Sequence, residues 1–282
     1  MKIALLPNFT KEKSLLITEK TAELLINYGA RLLLLEDAAQ KLNVKAEVFK
    51  STEEIIKNCD ICVVIGGDGT TIHYARIAAK YEKEVLGINA GRVGYISELE
   101  SNELSLLSKL FEDYKTESRM LISAEIVSKG EVKAQFSALN DIVISRGSLS
   151  QIVDFDVMQK DGESSFYRAD GLIFSTPTGS TAYSFSAGGP VVDPKLKCIL
   201  LSPVCAQLPI SARTIVFSSD SELLIKAKSQ SNRIYLTADG DAVFPIEEGD
   251  IVKIKKADIS AEFIKLKNRS FYTTVNEKLI GG

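Results

Sequence analysis

The sequence predicts an α/β domain at residues 1–120, an all-β, sandwich-like domain at residues 121–265, and a helical segment at residues 266–282. Three observations support this prediction. The chain has 282 residues, which is more than one domain usually holds. Its first part alternates short apolar runs with amphipathic ones, the pattern of strands and helices around a parallel sheet. In the second part, apolar residues recur at every second position, which is typical of strands.

The predicted α/β domain alternates strands and helices along the chain. KIALLP is the first strand, and KEKSLLITEKTAELLINYG is a helix that Gly29 ends. RLLLLE is the second strand, and STEEIIKN is a short helix with a Ser/Thr cap and acidic residues just after it. DICVVIGG is a buried strand that leads through a glycine-rich loop into a further helix, and EVLGIN is the next strand. In such a sheet, ligands bind at the carboxyl ends of the strands.

The predicted all-β domain shows apolar and polar alternation with almost no helical period. Turn signals such as Lys129-Gly130 and Asp161-Gly162 separate its strands. The strand-bearing segments are LISAEIVSKGEVKAQFSALNDIVIS, QIVDFDVMQKDGESSFYRADGLIFST, SELLIKAKSQSNRIYLTADG and DIVKIKKADISAEFIKLK. The final segment, SFYTTVNEKLIGG, returns to a helical pattern, and we expect it to pack back against the N-terminal domain.

Composition and charge exclude several classes of protein. The net charge is −3, so no global basic field gathers nucleic acid or anionic lipid. The apolar stretch at the N-terminus is too short for a signal peptide, and no run of about 18 apolar residues occurs. We therefore expect a folded cytoplasmic protein without membrane or nucleic-acid partners, whose four cysteines are buried, reduced thiols. The single histidine, His73, excludes mechanisms and metal sites that need two.

The segment Gly66-Gly67-Asp68-Gly69-Thr70 connects the buried strand to a helix. One interpretation is a structural turn, because glycine and aspartate suit turn geometry. The other is a phosphate cradle, because successive glycine amides at a helix N-terminus form a concave donor surface. A carboxylate beside phosphates is repelled unless a metal neutralises it or it works on a proton, and phosphoryl transfer needs both. Neither a P-loop nor the glycine turn of a hydride-transfer domain occurs.

A second motif, residues 167–192, is rich in hydroxyl side chains, glycine and proline. An exposed loop would explain it, and so would a site that holds a sugar, an adenine ring and a phosphate. A serine hydrolase is excluded, because the chain has no Gly-x-Ser-x-Gly elbow and its only histidine lies elsewhere. The hydroxyl-bearing residues are Ser175, Thr176, Thr178, Ser180, Thr181, Tyr183, Ser184 and Ser186.

The glycine loop, LNDIVISR at residues 139–146 and the block DGLIFSTPTGSTAYSFSAGGP resemble, in this order, the NAD kinase family. The similarity spans nearly the whole chain. Lipid kinases and phosphofructokinases share the glycine loop, whereas the long block is highly specific. The resemblance implies an enzyme that moves the terminal phosphoryl group of ATP to the 2′-hydroxyl of the adenosine ribose of NAD, giving NADP. It also implies Mg²⁺ or another divalent metal and a homodimer or homotetramer, and it leaves open whether polyphosphate can replace ATP.

The resemblance also implies roles for single residues. Asp68 is the catalytic base, and Asn140 and Asp141 hold ribose hydroxyls and the adenine end. Gly94 and Tyr95 belong to a loop that closes over adenine. Asp141 stands where the family usually has glutamate, and Asp239 is a magnesium-side or phosphate-side residue. No metal ligand is assigned. The remaining predicted nucleotide-binding residues are Gly67, Gly69, Thr70, Arg168, Asp170, Thr178, Thr181, Ala182, Tyr183 and Ser186.

Two other functions compete with this hypothesis. A lipid kinase would share the glycine loop, but the sequence has no basic amphipathic helix to place it on a membrane. A non-catalytic NAD(P) sensor would bind the same nucleotide, although a pure binder gains nothing from a carboxylate near phosphates. We expect the nucleotide to bind in a cleft between the two domains, since domain interfaces are preferred ligand sites.

Overall fold

A computed structural model describes residues 1–10, 13–91, 94–147, 151–207, 213–229 and 233–279. The chain forms two compact units: Met1–Ser118 together with the segment that starts at Ser260, and Arg119–Ile259. We refer to them as the first and the second unit.

The first part of the chain alternates strands and helices, as the sequence predicts. The strands are β1 (Lys2–Pro7), β2 (Arg31–Leu35), β3 (Ala46–Phe49), β4 (Ile61–Gly66) and β5 (Glu84–Asn89). The helices are α1 (Ser14–Asn27), α2 (Glu36–Ala39), α3 (Thr52–Asn58), α4 (Asp68–Ala79) and the 3-10 helix Leu104–Phe111. Strand β3, helix α2 and the 3-10 helix were not predicted from the sequence. Strand β3 has four residues and no buried one, so it carries no apolar pattern.

The rest of the chain is almost entirely strands. They are β6 (Lys115–Ser128), β7 (Glu131–Ala138), β8 (Asp141–Arg146), β9 (Val153–Gln159), β10 (Ser164–Ala169), β11 (Gly171–Ser175), β12 (Cys198–Val204), β13 (Ile215–Ser218), β14 (Leu223–Lys228), β15 (Ile234–Ala238), β16 (Ala242–Ile246) and β17 (Ile251–Lys265). A 3-10 helix (Thr178–Thr181) and the one-turn helix α5 (Tyr183–Ser186) lie between β11 and β12, and α6 (Phe271–Leu279) follows β17.

The first unit contains a parallel sheet in the order β3-β2-β1-β4-β5. The carboxyl half of β17 adds to it in parallel beside β5, with Phe263 opposite Val85. Every residue of β4 is buried, which explains its continuous apolar run. The strand order reverses between β1 and β4, and ligands bind in the crevice at such a point, outside the carboxyl ends of the strands. This crevice is where Asn8 and the glycine loop lie.

Local sequence signals define the ends of two helices in this unit. Helix α1 is followed by Gly29, whose φ of +89° is in the left-handed region that glycine favours. Helix α3 begins after Ser51, whose side-chain oxygen accepts a hydrogen bond from the Glu54 N–H at 3.2 Å. Both boundaries agree with the sequence analysis.

The second unit has two groups of antiparallel strands around a shared apolar core. One is the sheet β13-β12-β11-β8-β15-β16, and the other contains β10, β9, β14, the amino half of β17, β6 and β7. Phe155 and Tyr167 from one group and Phe174 and Leu236 from the other are all buried in this core. The predicted α/β domain, sheet-rich domain and terminal helix are confirmed.

The borders of the two units fall inside long strands rather than at turns. The second border, Ile259/Ser260, divides the 15-residue strand β17, whereas the sequence analysis put it after residue 265. No turn signal marks this border because one uninterrupted strand contributes residues to both units. Helix α6 belongs to the first unit.

The cysteines follow their predicted state with one exception. Cys59, Cys62 and Cys198 are buried free thiols, and the Cys59 and Cys62 sulfurs lie 3.6 Å apart. Cys205 is exposed instead; it lies after the end of β12. In the part of the chain that the structure describes, no helix is long and apolar enough to cross a membrane.

Candidate active site

The glycine loop lies at the carboxyl end of β4, and α4 begins at Asp68. A Cβ added at Gly66 would come within 2.8 Å of the Thr70 side chain, so the close approach of this side chain requires glycine there. A Cβ added at Gly67 or Gly69 would have no atom within 4 Å. Open space therefore borders the backbone beside Asp68, where a ligand can approach.

The loop after β5 fixes the orientation of the Asp68 carboxylate. Oδ2 accepts a hydrogen bond from the Tyr95 N–H at 2.7 Å, and Oδ1 accepts one from the Ile96 N–H at 3.2 Å. A Cβ added at Gly94 would lie 2.0 Å from Oδ1, so only glycine lets the loop approach the carboxylate this closely. Asp68, Gly94 and Tyr95, which the sequence analysis selected separately, therefore form one cluster. An oriented carboxylate of this kind can accept a proton from a hydroxyl group.

Asn8 ties the end of β1 to this loop, and the sequence analysis missed it. Its side-chain nitrogen donates to Thr70 Oγ1 at 2.9 Å, and its backbone N–H donates to the Ile65 carbonyl at 2.8 Å. Its side-chain oxygen accepts from both the N–H and the hydroxyl of Thr10. Its position directly after the first strand is the sequence feature that could have identified Asn8 as a site residue.

In the second unit, Asp239 holds the start of β8 in place. It lies in the turn between β15 and β16 with φ of +50°. Its carboxylate accepts hydrogen bonds from the N–H groups of Leu139, Asn140 and Asp141 at 2.9, 2.8 and 3.1 Å. Both carboxylate oxygens are thus engaged by backbone donors. These bonds give Asp239 a structural function, and its magnesium-side or phosphate-side role stays a prediction.

Asp141 is a buried carboxyl group beside Asp239. Burial raises its pKa to about 7, and the negative charge of Asp239 contributes in the same direction. Near neutral pH the Asp141 carboxyl group is therefore protonated in roughly half of the molecules, so it can donate a hydrogen bond as well as accept one. The neighbouring Asn140 Oδ1 is buried and has no hydrogen-bond partner among the described residues. A buried acceptor without a donor is a candidate ligand contact.

The hydroxyl-rich motif packs directly onto Asn140. The Thr176 N–H donates to the Asn140 carbonyl at 2.9 Å, and a Cβ added at Gly179 would lie 2.2 Å from the same oxygen. Several hydroxyls of the motif bond within the protein: Ser180 to the Pro177 carbonyl at 2.7 Å, and Ser184 to Ser202 at 2.8 Å. The motif is therefore neither a simple surface loop nor a set of hydroxyls that all face a ligand.

The predicted contacts in this motif differ in their exposure. Tyr183 and Ser186 are exposed, and Thr181 and Ala182 are half-buried, so these four are accessible to a ligand. Thr178 is buried, and its hydroxyl oxygen accepts a hydrogen bond from Arg119 at 3.4 Å.

Two charged residues that were predicted to contact nucleotide are engaged in ion pairs. Arg168 donates two hydrogen bonds to Asp154, at 2.6 and 2.8 Å, and these bonds lower the pKa of the Asp154 carboxyl. The two residues face each other across the β9–β10 pair. Asp170 pairs with Arg146 at 2.9 Å. Neither ion pair could be predicted from sequence patterns, because strand register decides which residues lie opposite each other.

The described residues contain no group of three or more His, Cys, Asp or Glu side chains that could hold a metal ion. Mg²⁺ does not require such a cage, since it is commonly held by one or two carboxylates together with substrate phosphates and water. Asp68 is a carboxylate beside open space, so this chain fits a magnesium ion that is carried mainly by a phosphorylated substrate.

Comparison with known proteins agrees with this geometry. The family model described as ATP-NAD kinase N-terminal domain matches residues 6–114, and the one described as ATP-NAD kinase C-terminal domain matches residues 139–266. The NAD kinase of Symbiobacterium thermophilum is 37% identical over 99% of this chain and 99% of its own length. The NAD kinase of Carboxydothermus hydrogenoformans is 41% identical over 83% of this chain and 82% of its own.

Solved structures share the fold. The crystal structure of yeast NADH kinase complexed with NADH has a TM-score of 0.90 at 22% identity, over 99% of this chain and 87% of that one. An NAD kinase from Archaeoglobus fulgidus in complex with ATP has a TM-score of 0.78 at 25% identity, with both chains fully covered.

The fold, the oriented carboxylate beside an open glycine loop and these relatives define a phosphoryl-transferring enzyme, a kinase. The chain matches both family models in order, and relatives more than 30% identical cover nearly its whole length. It belongs to the ATP-NAD kinase family, which decides against the lipid kinase alternative.

Proposed function

We propose that this enzyme transfers the terminal phosphoryl group of ATP to the 2′-hydroxyl of the adenosine ribose of NAD, giving NADP and ADP. The observation that carries the proposal is the Asp68 carboxylate, which two backbone amides orient beside the open glycine loop. The names of the relatives support the choice of substrates.

Asp68 acts as the general base in this proposal. The bond between the γ-phosphorus and the β–γ bridging oxygen of ATP breaks, a bond from the ribose 2′-oxygen to that phosphorus forms, and the 2′-proton passes to the Asp68 carboxylate. The Tyr95 and Ile96 amides keep this carboxylate from turning away. Bound Mg²⁺ would shield the triphosphate charge, and Asp68 is one carboxylate among the described residues that would help to hold it.

Residues of the second unit bind the dinucleotide. Asn140 Oδ1 accepts a hydrogen bond from a ribose hydroxyl, which is supported by its burial without a protein donor among the described residues. Asp141 contributes a second contact and changes between donor and acceptor as its pKa near 7 is crossed. The accessible Tyr183 and Ser186 contact the same substrate.

Three further features of the proposal rest on family membership: a divalent metal such as Mg²⁺, a homodimer or homotetramer, and a cytoplasmic location. Size-exclusion chromatography with light scattering measures the assembly, and activity after chelation and metal re-addition measures the metal requirement.

The test is NADP formation from NAD, ATP and Mg²⁺ by the wild type and by Asp68→Asn. We expect the variant to lose about 10²- to 10⁴-fold in kcat, the usual contribution of a positioned base, while it still binds NADP in calorimetry. Asp156→Asn, at an exposed position on β9, is the matched control and should keep full activity. Full turnover by Asp68→Asn would show that Asp68 is not the general base. Tight NADP binding without turnover by the wild type would favour a non-catalytic sensor.

A further inference from the structure

Two cysteines lie side by side in the interior of the first unit. Cys59 directly follows helix α3, and Cys62 is the second residue of β4. Both residues are buried, and their sulfur atoms are 3.6 Å apart. A disulfide needs the two sulfurs at about 2 Å, so a shift of roughly 1.5 Å would join them. Between the cysteines, the Asp60 N–H donates to the Lys2 carbonyl at 2.8 Å, which holds the connecting turn against β1.

The surroundings of the pair make Cys59 the more nucleophilic thiol. Because the Cys59 S–H donates to the Ile56 carbonyl at 3.2 Å, the Cys62 S–H is the donor between the two sulfurs. This hydrogen bond from Cys62 lowers the pKa of the Cys59 thiol; burial opposes the effect, and the positive charge of Lys83 adds to it. The same hydrogen bond, together with burial, raises the pKa of Cys62 well above its ordinary value. One activated thiol beside one protonated thiol is typical of a redox pair.

The two thiols also differ in how a reagent can reach them. Cys59 stands at the end of a seven-residue helix whose last residues, Lys57 and Asn58, are exposed. A helix this short depends on its packing, and its last turn opens more easily than the sheet does. Cys62 lies in β4, which is buried throughout and paired with β1 on one side and β5 on the other. A small oxidant therefore reaches Cys59 first.

We propose that Cys59 and Cys62 form a reversible oxidation site for hydrogen peroxide, with Cys59 as the attacking thiol and Cys62 as the resolving thiol. In reducing compartments, disulfides of this kind are usually transient. The pair keeps a buried thiol of the first unit from irreversible oxidation. It does not depend on the proposed kinase reaction, because neither sulfur belongs to the candidate active site.

The oxidation takes two steps. The Cys59 thiolate attacks one oxygen of the peroxide, the O–O bond breaks, and the leaving hydroxide takes up a proton to become water, so that Cys59 becomes a sulfenic acid. The Cys62 thiolate then attacks the Cys59 sulfur, the S–O bond breaks, and the oxygen leaves as a second water. Two thiols and one peroxide thus give one disulfide and two waters. An added dithiol reduces the disulfide and is itself oxidised to a disulfide.

Peptide mass spectrometry of the full chain tests the site directly. Reduced wild type is treated with hydrogen peroxide, denatured in iodoacetamide and digested with trypsin, which cuts after Lys57 and Arg76, so both cysteines lie in one peptide. We expect this peptide to lose two hydrogen atoms and to take up no alkyl group. Dithiothreitol added before alkylation should restore two alkylation sites.

The other two cysteines are internal controls in the same digest. Cys205 is exposed and should be oxidised, whereas Cys198 is buried without a neighbouring thiol among the described residues and should stay alkylatable. Two alkylated cysteines in the peptide that contains Cys59 and Cys62, in a sample whose Cys205 is oxidised, would overturn the inference. Sulfinic acid at Cys59 in place of the disulfide would overturn it as well.

Serine variants assign the two roles. In Cys62→Ser the sulfenic acid has no resolving thiol, so we expect Cys59 to proceed to sulfinic acid, which dithiothreitol does not reverse. In Cys59→Ser, Cys62 should remain alkylatable after the same treatment. Cys205→Ser is the matched control and should form the disulfide as the wild type does. Oxidation of Cys59 in Cys62→Ser that dithiothreitol fully reverses would contradict the resolving role of Cys62.

The unfolding midpoint of each variant shows whether it is folded, and the wild-type digest decides on the disulfide even if a variant is not. The outcome is also separate from that of the proposed function. A wild type that makes no NADP but forms the disulfide would contradict the kinase reaction and support the oxidation site.

Discussion

Gly94 and Asp68 show how one residue's identity depends on another's position. The space that a side chain at position 94 would occupy is filled by the Asp68 carboxylate, 2.0 Å from an added Cβ. Ser97 Oγ lies 3.1 Å from the same point and is buried without a hydrogen-bond partner among the described residues. The base is thus enclosed on the side away from the open glycine loop, which limits the directions from which a hydroxyl can reach it.

Gly94→Ala should therefore displace the base without unfolding the protein. We expect kcat to fall about 100-fold, since a misplacement of roughly 1 Å at a reacting group costs this much. Gly91→Ala in the same loop is the control, because its added Cβ would meet its nearest neighbour at 4.0 Å. Steady-state kinetics of both variants check this, and equal kcat values for the two would show that the loop adapts to the added methyl group.

Asp141 makes stability depend on pH in a defined direction. Its pKa is about 7 in the folded protein against an ordinary value of 3.8, so between these two pH values the folded state keeps a proton that the unfolded state has released. The contribution of Asp141 to the free energy of unfolding therefore falls as the pH rises from about 4 to about 7, and it is constant above pH 7. From pH 5.5 to 8 the loss is about 2 kcal/mol, given 1.36 kcal/mol per pH unit.

Urea unfolding at pH 5.5 and 8 measures this effect. Asp141→Asn cannot release a proton, so its free energy of unfolding should lose about 2 kcal/mol less than that of the wild type between the two pH values. Asp156→Asn, on an exposed site, should behave like the wild type. If the free energy of unfolding changed equally with pH in the wild type and in Asp141→Asn, the pH dependence would come from a group other than Asp141.

At the level of secondary-structure elements, Glu98 links the loop that holds Asp68 to the end of β17. Its buried carboxylate accepts hydrogen bonds from the N–H groups of Leu266 and Lys267 at 2.8 and 2.7 Å, and from the Lys265 ammonium. The loop is thus supported by residues near the other end of the chain. Glu98 was not selected in the sequence analysis, because its partners lie more than 160 positions away.

Glu98→Gln keeps the size of this side chain and removes its charge. We expect the free energy of unfolding to fall by about 2 kcal/mol, less than for a fully buried pair because Lys265 is partly exposed. Glu277→Gln, in the exposed pair with Arg269, should cost about 0.5 kcal/mol or less. Denaturant titrations of the two variants compare them, and equal losses would mean that the link does not support the loop.

Across the whole molecule, both ends of the chain build the unit that carries the proposed base. Strands β1 to β5 form its sheet, and the carboxyl half of β17 extends that sheet beside β5. Ile264 and Leu266 join the same apolar core as Ile3 and Val63. The second unit, with its own core, is contributed by the intervening chain.

The sequence by itself determined the α/β and sheet-rich character of the two parts, the strand-loop-helix setting of Asp68, and the family. These follow from local features: the two-residue and helical periods, the glycine that ends α1, the serine that caps α3, and motifs contiguous in the chain. Such features act over a few neighbouring residues, so they are readable without the fold.

Only the tertiary structure decided which polar groups are already engaged and which face open space. Arg168 is held by Asp154, Asp239 by three backbone amides, and several motif hydroxyls by backbone carbonyls or by Ser202. The cavity lined by Phe9, Asp37 and Gly69 likewise combines residues that follow three different strand ends. These pairings join residues that are distant in the sequence, and strand register and packing select the partner of each, which no local pattern specifies.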